Sequence, residues 1–398
     1  RLRGSGRPDA GLGVAVILRY TLRLLTLDQL GRAATLICAL ERLRQQRKAG
    51  DLSQERFAIG LWVGRSATAN TLTQVEQEIR NFRLARTKDS PFPLPACPWC
   101  GHEILPSGLT LDSKLGEVRV TCGERNCDFS GGNNPDGLPV LFVDEHLYKE
   151  LPCFVVATVD KFAMLPWRGR TGMLFGRVHS RSGRTFHGPM DSERPSPKHT
   201  RLPDGLLPPE LIVQDELHLI TGPLGTMVGL YETAIETLCL RPGPAGAARR
   251  PKIIASTATV RRAEQQVQAL FGRPRLCMFP PQGIDDSDSF FAKPDHSTPG
   301  RKYIGVAAAG RSMKATLIRA YVTLLGAAEK CWQQASGPDE KKRADAYMTL
   351  VGYFNALREL GGMRRLLEDE KCPIGQVTRS RRTALMVAAA AGDVEVVD

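Results

Sequence analysis

Three side chains in the run LIVQDELHLITGPLGT (211–226) have the types and spacing for phosphate-ester hydrolysis. Asp215 can hold Mg²⁺ through its water shell. Glu216 can orient and deprotonate an attacking water. His218, two residues on, can carry hydrogen bonds to a neighbouring strand. Phosphoryl transfer is mostly positioning and charge neutralisation, so two adjacent acids at one fixed edge cover much of the chemistry. A lone Asp-Glu pair at a strand end is more often a solvated loop. The second signal is STAT (256–259), which ends the next apolar run. Ser256 and Thr259 are small hydroxyl residues suited to touch His218 and report the nucleotide state. Two neighbouring strand ends with complementary polar groups outweigh the solvated-loop reading.

A different chemistry is written in CPWC (Cys97, Cys100) and CGERNC (Cys122, Cys127), two pairs separated by 21 residues. This is zinc spacing, with the second pair at the long end of the usual range. A pair of disulfides is the alternative, disfavoured in a reducing compartment. His102 is a substitute ligand. The surrounding segment, 89–139, is rich in Pro and Gly and has little periodicity. A metal there reads as a structural staple for a stretch with little core of its own. Cys38, Cys153, Cys239, Cys277 and Cys331 sit among apolar residues and read as core thiols.

The elements that must position these groups follow from hydrophobic pattern. Short apolar runs at 14–20, 56–64, 154–158, 211–214 and 252–259 read as strands. Helical periodicity covers 27–50, 71–83 and 225–240, with another helix starting near Val260. Apolar runs alternating with helices predict a mostly parallel sheet covered on both faces, with ligands at its carboxyl edge. Residues 279–300 have linker composition. YIGVAAAG (303–310) reads as a strand, Met313–Gln334 as a helix, and 344–370 as a helix interrupted at Gly361-Gly362. This is the pattern expected at the opening of a second α/β domain.

The 398 residues are 42% hydrophobic, enough for two or three cored domains. The net charge of +12 suits a polyanionic partner. No run of 18 apolar residues and no hydrophobic secretion signal occurs, so the cytoplasm is the expected compartment.

Asp-Glu-Leu-His followed by Ser-Thr-Ala-Thr resembles motifs II and III of superfamily 2 helicases of the DExH class. ATVDK (157–161) resembles that superfamily's backbone-contacting motif. ILRYTLRLLTLDQLGRA (17–33), GLWVG (60–64), LPCFVVATVDKFAML (151–165), LIVQDELHLITGPLGTMVGLYE (211–232) and GYFNALRELGG (352–362) are similar to a narrower group. That group is the large bacterial helicases carrying a DUF1998 region, and the likeness is strongest to its DISARM anti-phage branch. The resemblance covers nearly the whole chain. It implies an α/β fold: a RecA-like domain over 1–278 with 89–139 as zinc insert, a linker at 279–300, and the N-terminal part of a second RecA-like domain at 301–398. It also implies ATP, Mg²⁺ and Zn²⁺ as cofactors. The implied ligand is DNA, expected to be single-stranded, and the implied partners are other defence proteins such as a DrmB-like one.

No G-K-T or G-K-S occurs in the chain, so the phosphate-cradling loop of an ATPase is missing from these residues. The resemblance implies that the loop lies upstream of Arg1 and the arginine-bearing motifs beyond Asp398. An active ATPase is then expected of a longer protein, and no turnover of residues 1–398 alone. The alternative is a zinc-stabilised nucleic-acid-binding or assembly module without motor action. For backbone contacts, strand ends offer three sets: Arg19, Thr21 and Arg23; Thr158, Asp160 and Lys161; Arg311, Ser312 and Lys314. A solvated side chain is the competing reading for each. Trp99 is a candidate for base stacking and Trp62 a core residue. The basic stretch 166–200 reads as an arm beside DNA.

Overall fold

The computed structural model describes residues 9, 11–21, 23–46, 55–64, 68–112, 115–188, 198–243, 246–257, 263–273, 275–279, 281, 284, 288, 291–297, 300–307, 309–354, 356–369, 386–389 and 394–396. The chain divides into two compact units, Arg1–Cys277 and Met278–Asp398.

The first unit is built on a six-stranded parallel sheet. Its strands are β1 (Val16–Tyr20), β2 (Ile59–Trp62), β3 (Val140–Leu141), β4 (Phe154–Thr158), β5 (Leu211–Gln214) and β6 (Lys252–Ala255). They lie in the order β6-β5-β1-β4-β2-β3, all neighbours parallel. β1 is flanked by β4 and β5, with Val16 level with Phe154 on one side and Leu211 on the other. The register brings all the strand ends of interest to one carboxyl edge.

Side chains alternate between faces along a strand. Leu61 and Val156 face a core built with α1 (Arg23–Gln46) and α2 (Leu72–Arg83). Ile17, Trp62, Val155, Ala157 and Ile212 face the opposite core, which includes Leu147 and Tyr148 of α3 (Asp144–Glu150) and Ile235 of α4 (Gly222–Leu238). α2 starts where Thr71 caps it: its hydroxyl accepts from Gln74 N at 3.3 Å, and Gln74 Oε1 accepts from Thr71 N at 3.3 Å. Gly60 sits where a Cβ would come within 2.6 Å of Leu147, so its bareness lets α3 press onto β2.

The cysteine-rich insert differs from its expected form. It carries a hairpin, Leu109–Asp112 with Glu117–Val120. Its Phe92, Leu94, Ile104, Leu109, Val118, Val120, Phe129 and Leu138 belong to the same core as α1, α2 and the sheet. The segment is a wall of the domain, not a separately stapled appendage. The described part of the stretch 166–200 also differs from the expected arm, residues 189–197 lying outside the described set. Turns at Leu165–Trp167 and Gly169–Phe175 lead into a small antiparallel sheet of Ser180–Ser182, Thr185–His187 and Thr200–Arg201. Arg181 pairs with Glu55 at 2.7 Å, and Arg184 with Asp136 at 3.0 Å and Glu117 at 3.3 Å.

The second unit holds helices Met313–Gln334, Pro338–Asp345 and Leu357–Asp369, and strand Val351–Phe354. That strand pairs in parallel with Met386–Ala389, which pairs antiparallel with Val394–Val396. Its core is thin, centred on Tyr321, Phe354 and Met363. Two expectations fail here. Residues 303–307 form no strand, and Tyr303, Ile304 and Val306 are exposed. The supposed helix from 344 contains the strand Val351–Phe354, whose alternating exposure has period two. The following helix runs through Gly361 and Gly362 unbroken.

Candidate functional site

At the carboxyl end of β5 the chain turns sharply. Glu216 has φ of 51°, a left-handed conformation rare for a non-glycine residue. The turn is pinned from several sides. Asp215 N donates to Arg19 O at 3.0 Å on β1, and Leu217 N donates to Ser256 O at 2.9 Å beyond β6. Gln214, fully buried, donates its side-chain amide to Asp215 O at 2.9 Å. Gln266, on α5 (Ala263–Phe271), donates to Leu217 O at 2.9 Å and Ile220 O at 3.1 Å.

This frame presents the acidic group. The Ser256 hydroxyl donates to Asp215 Oδ1, which also accepts from Glu216 N at 3.0 Å. His218 Nε2 lies 3.4 Å from Glu216 Oε2, both half-exposed. Asp215, Glu216, His218 and Ser256 thus come together at adjacent strand ends. Ser256 bonds to Asp215, and the histidine pairs with Glu216. Thr259 lies outside the described residues. A carboxylate with a serine hydroxyl is an oxygen donor set that suits Mg²⁺ retaining several waters.

The expected backbone contacts fare unevenly. Arg19 is 1% exposed and forms an ion pair with Glu232 of α4. It shares the β1 face with Ile17, so its side chain points into the core, and it is no surface contact. Lys161 is buried as well. Its ammonium lies 2.7 Å from Asp144 Oδ2, 2.8 Å from Val63 O and 3.3 Å from Asn70 Oδ1, in a pocket below the carboxyl edge. Both assignments are corrected to core ion pairs. Thr158 is buried, Thr21 half-buried and Asp160 exposed. Among the described residues the hydroxyls of Thr21 and Thr158 have no hydrogen-bond partner. Arg23 begins α1, and its side chain is outside the described set. In the second unit Arg311 and Lys314 are exposed, and Ser312 caps its helix by accepting from Ala315 N at 3.3 Å.

The four cysteines converge. Their sulfur atoms all lie within 4.8 Å of one another, with Cys100–Cys122 at 3.5 Å and Cys97–Cys127 at 4.0 Å. Tetrahedral Zn–S bonds of about 2.3 Å give sulfur separations of roughly 3.8 Å, so the cluster fits a four-coordinate metal ion. Three of the four are buried, and burial raises the Cys97 thiol to about 11. Thr35 on α1 donates to Pro98 O at 2.8 Å, and Arg42 pairs with Asp128 at 2.8 Å, fixing the cluster to α1. Trp99 packs edge-on against Phe129 and donates to Asp128 Oδ2 at 3.1 Å. Trp62 is core and donates to the Tyr148 hydroxyl at 2.9 Å.

Sequence reasoning missed a buried electrostatic hub. His146 Nε2 lies 3.0 Å from Glu150 Oε2, and His146 Nδ1 accepts from Val118 N of the insert at 3.3 Å. Arg56 lies 3.7 Å from Glu150 and donates to Leu138 O at 2.8 Å. Burial opposes the Glu150 charge, but His146, Arg56 and Arg184 overcome it and hold the carboxyl down at about 2. The i, i+4 pair His146/Glu150 was the available signal.

Among the described residues no helix is long and apolar enough to cross a membrane. No protein-family model matches the chain. The chain is 42% identical over 376 residues, 90% of its length, to DISARM protein DrmA of Bacillus paralicheniformis, and it spans 32% of that protein.

Proposed function

We propose that the chain is part of an ATP-dependent DNA helicase or translocase acting in a DISARM-type anti-phage defence system. The likeness to DrmA supports the defence setting. The observation that carries the motor reading is the Asp215–Ser256 bond beside a left-handed Glu216 at adjacent parallel strand ends. In this reading Asp215, its carboxylate fixed by Ser256, would hold Mg²⁺. Glu216 takes the proton of the attacking water, and His218 orients Glu216. Bound Mg²⁺ would neutralise charge on the phosphates of ATP. This reading requires a phosphate cradle, and no G-K-T or G-K-S occurs in residues 1–398. Among the described residues β6 pairs only with β5, and Ile254 on it is 47% exposed, leaving an edge beside Asp215 for a further strand. The cysteine cluster is a structural zinc site. The compartment is the cytoplasm, and the partners are the other proteins of the same system.

A zinc-stabilised binding or assembly module without motor action is the second reading, favoured by the lack of G-K-T or G-K-S in the sequence. Glu216→Gln in the full-length protein separates the two. Loss of a general base should lower DNA-stimulated ATP turnover by about two orders of magnitude while Mg·ATP still binds. Turnover within about twofold of wild type would leave Glu216 a solvated strand-end residue and remove the roles given to Asp215 and His218.

A further inference from the structure

Trp167 is 79% exposed although the chain on both sides of it is anchored. Upstream, Phe162 is buried and packs edge-on against Trp62 at 4.9 Å. Downstream, Thr171, Met173, Leu174 and Phe175 are buried. The arch between them is closed by its own backbone. Trp167 N donates to Met164 O at 3.1 Å, and the Thr171 hydroxyl and amide both donate to Arg168 O, at 2.6 and 2.9 Å. The outward residues are Met164, Trp167, Arg168 and Arg170. An indole held out on a fixed arch forgoes burial of its apolar surface, at roughly 25 cal/mol per Å². Trp167 and Met164 are thereby presented for contact with a partner.

Charge indicates which partner. Residues 161–190 contain no Asp or Glu. Arg181 and Arg184 are committed to Glu55, Glu117 and Asp136. Arg168 and Arg170 follow Trp167 on the arch and are exposed, as is Arg177. An exposed aromatic ring followed by two exposed arginines suits a base with its neighbouring phosphates. The arch also begins directly after the one-turn helix Val159–Phe162 that follows β4, so it adjoins Thr158 and Asp160 at the carboxyl edge. We infer that Trp167 is a stacking platform for one base of a single-stranded nucleic acid, with Arg168 and Arg170 contacting the flanking phosphates. This rests on the nucleic-acid reading above.

The test is binding of the zinc-loaded full-length protein to oligothymidylate carrying one 2-aminopurine. Loss of one stacking platform should weaken binding about tenfold in Trp167→Ala, and Trp167→Phe should restore most of it. The salt slope should be unchanged in Trp167→Ala and shallower by about two in the Arg168→Ala/Arg170→Ala variant. The 2-aminopurine should be quenched by wild type and not by Trp167→Ala. Equal affinities for wild type and Trp167→Ala would overturn the platform while leaving the nucleic-acid reading intact. A Trp167→Ala protein that keeps its DNA affinity but loses a protein partner would reassign the arch to protein contact, overturning the inference. No binding by wild type would overturn both readings.

Discussion

Lys161 Nζ and Asp144 Oδ2 lie 2.7 Å apart beneath the carboxyl edge, both side chains almost wholly buried. Burial pushes the Asp144 carboxyl above its ordinary pKa, against the pull of Lys161. The pair joins α3 to the one-turn helix after β4, and Lys161 also ties down Val63 O at the end of β2. Its role is therefore architectural.

Removing one partner should expose that role. Asp144→Ala leaves an uncompensated ammonium in the interior and should cost about 3–5 kcal/mol in denaturant unfolding. The joint change Asp144→Leu/Lys161→Met should recover most of it, because two apolar groups need no mutual compensation. A Lys161→Ala protein with an unchanged unfolding midpoint and weakened DNA binding would return Lys161 to the nucleic-acid surface.

The cysteine cluster predicts one zinc per chain by metal analysis. Because Cys97, Cys122 and Cys127 share a core with α1, α2 and the sheet, chelation or Cys127→Ala should lower the melting temperature of the whole first unit, not that of a local segment. Less than about half an equivalent of metal, with all four thiols freely reactive under reducing conditions, would rule the site out.

Glu150 gives a pH signature. Its carboxyl is held at about 2, below the ordinary 4.5. A depressed folded-state value means stability that is fully present above 4.5 and is lost as pH falls from 4.5 through 2. The contribution is on the order of 3 kcal/mol at neutral pH. Glu150→Gln should lower stability at pH 7 and flatten the acid limb over that window, read by denaturant midpoints at a series of pH values. An unaltered acid limb would show that other carboxylates govern it.

The parallel sheet was legible because strands buried on both faces read as unbroken apolar runs. FVVAT and LIVQ became β4 and β5 with the bounds the pattern indicates. That β5 and β6 end side by side was legible for the same reason, but the contact expected there was Ser256 with His218, whereas the Ser256 hydroxyl bonds to Asp215. Arg19 and Lys161 were misread because a basic residue at a strand end suggests solvent. Only the partners Glu232 and Asp144, 213 and 17 residues away, turn them inward. The strands at 180–187 were hidden by their brevity and by polar side chains such as Ser180, Arg181 and His187. In the second unit, alternation in VGYF was masked by the helical periodicity on either side. Trp167 escaped notice because a lone tryptophan in sequence signals core, and only the buried anchors around it show that it points out.

The central place of β1 has a consequence for synthesis. Both its hydrogen-bonding edges are closed by strands that begin at Phe154 and Leu211, so neither edge can be matched when residues 16–20 first leave the ribosome. At about 5–20 residues per second, the nearer partner emerges on the order of ten seconds later. For that interval VILRY is an unpaired apolar strand on the nascent chain, a natural point of engagement for a holding chaperone. The register of the sheet is decided only when 154–158 and then 211–214 arrive to enclose it.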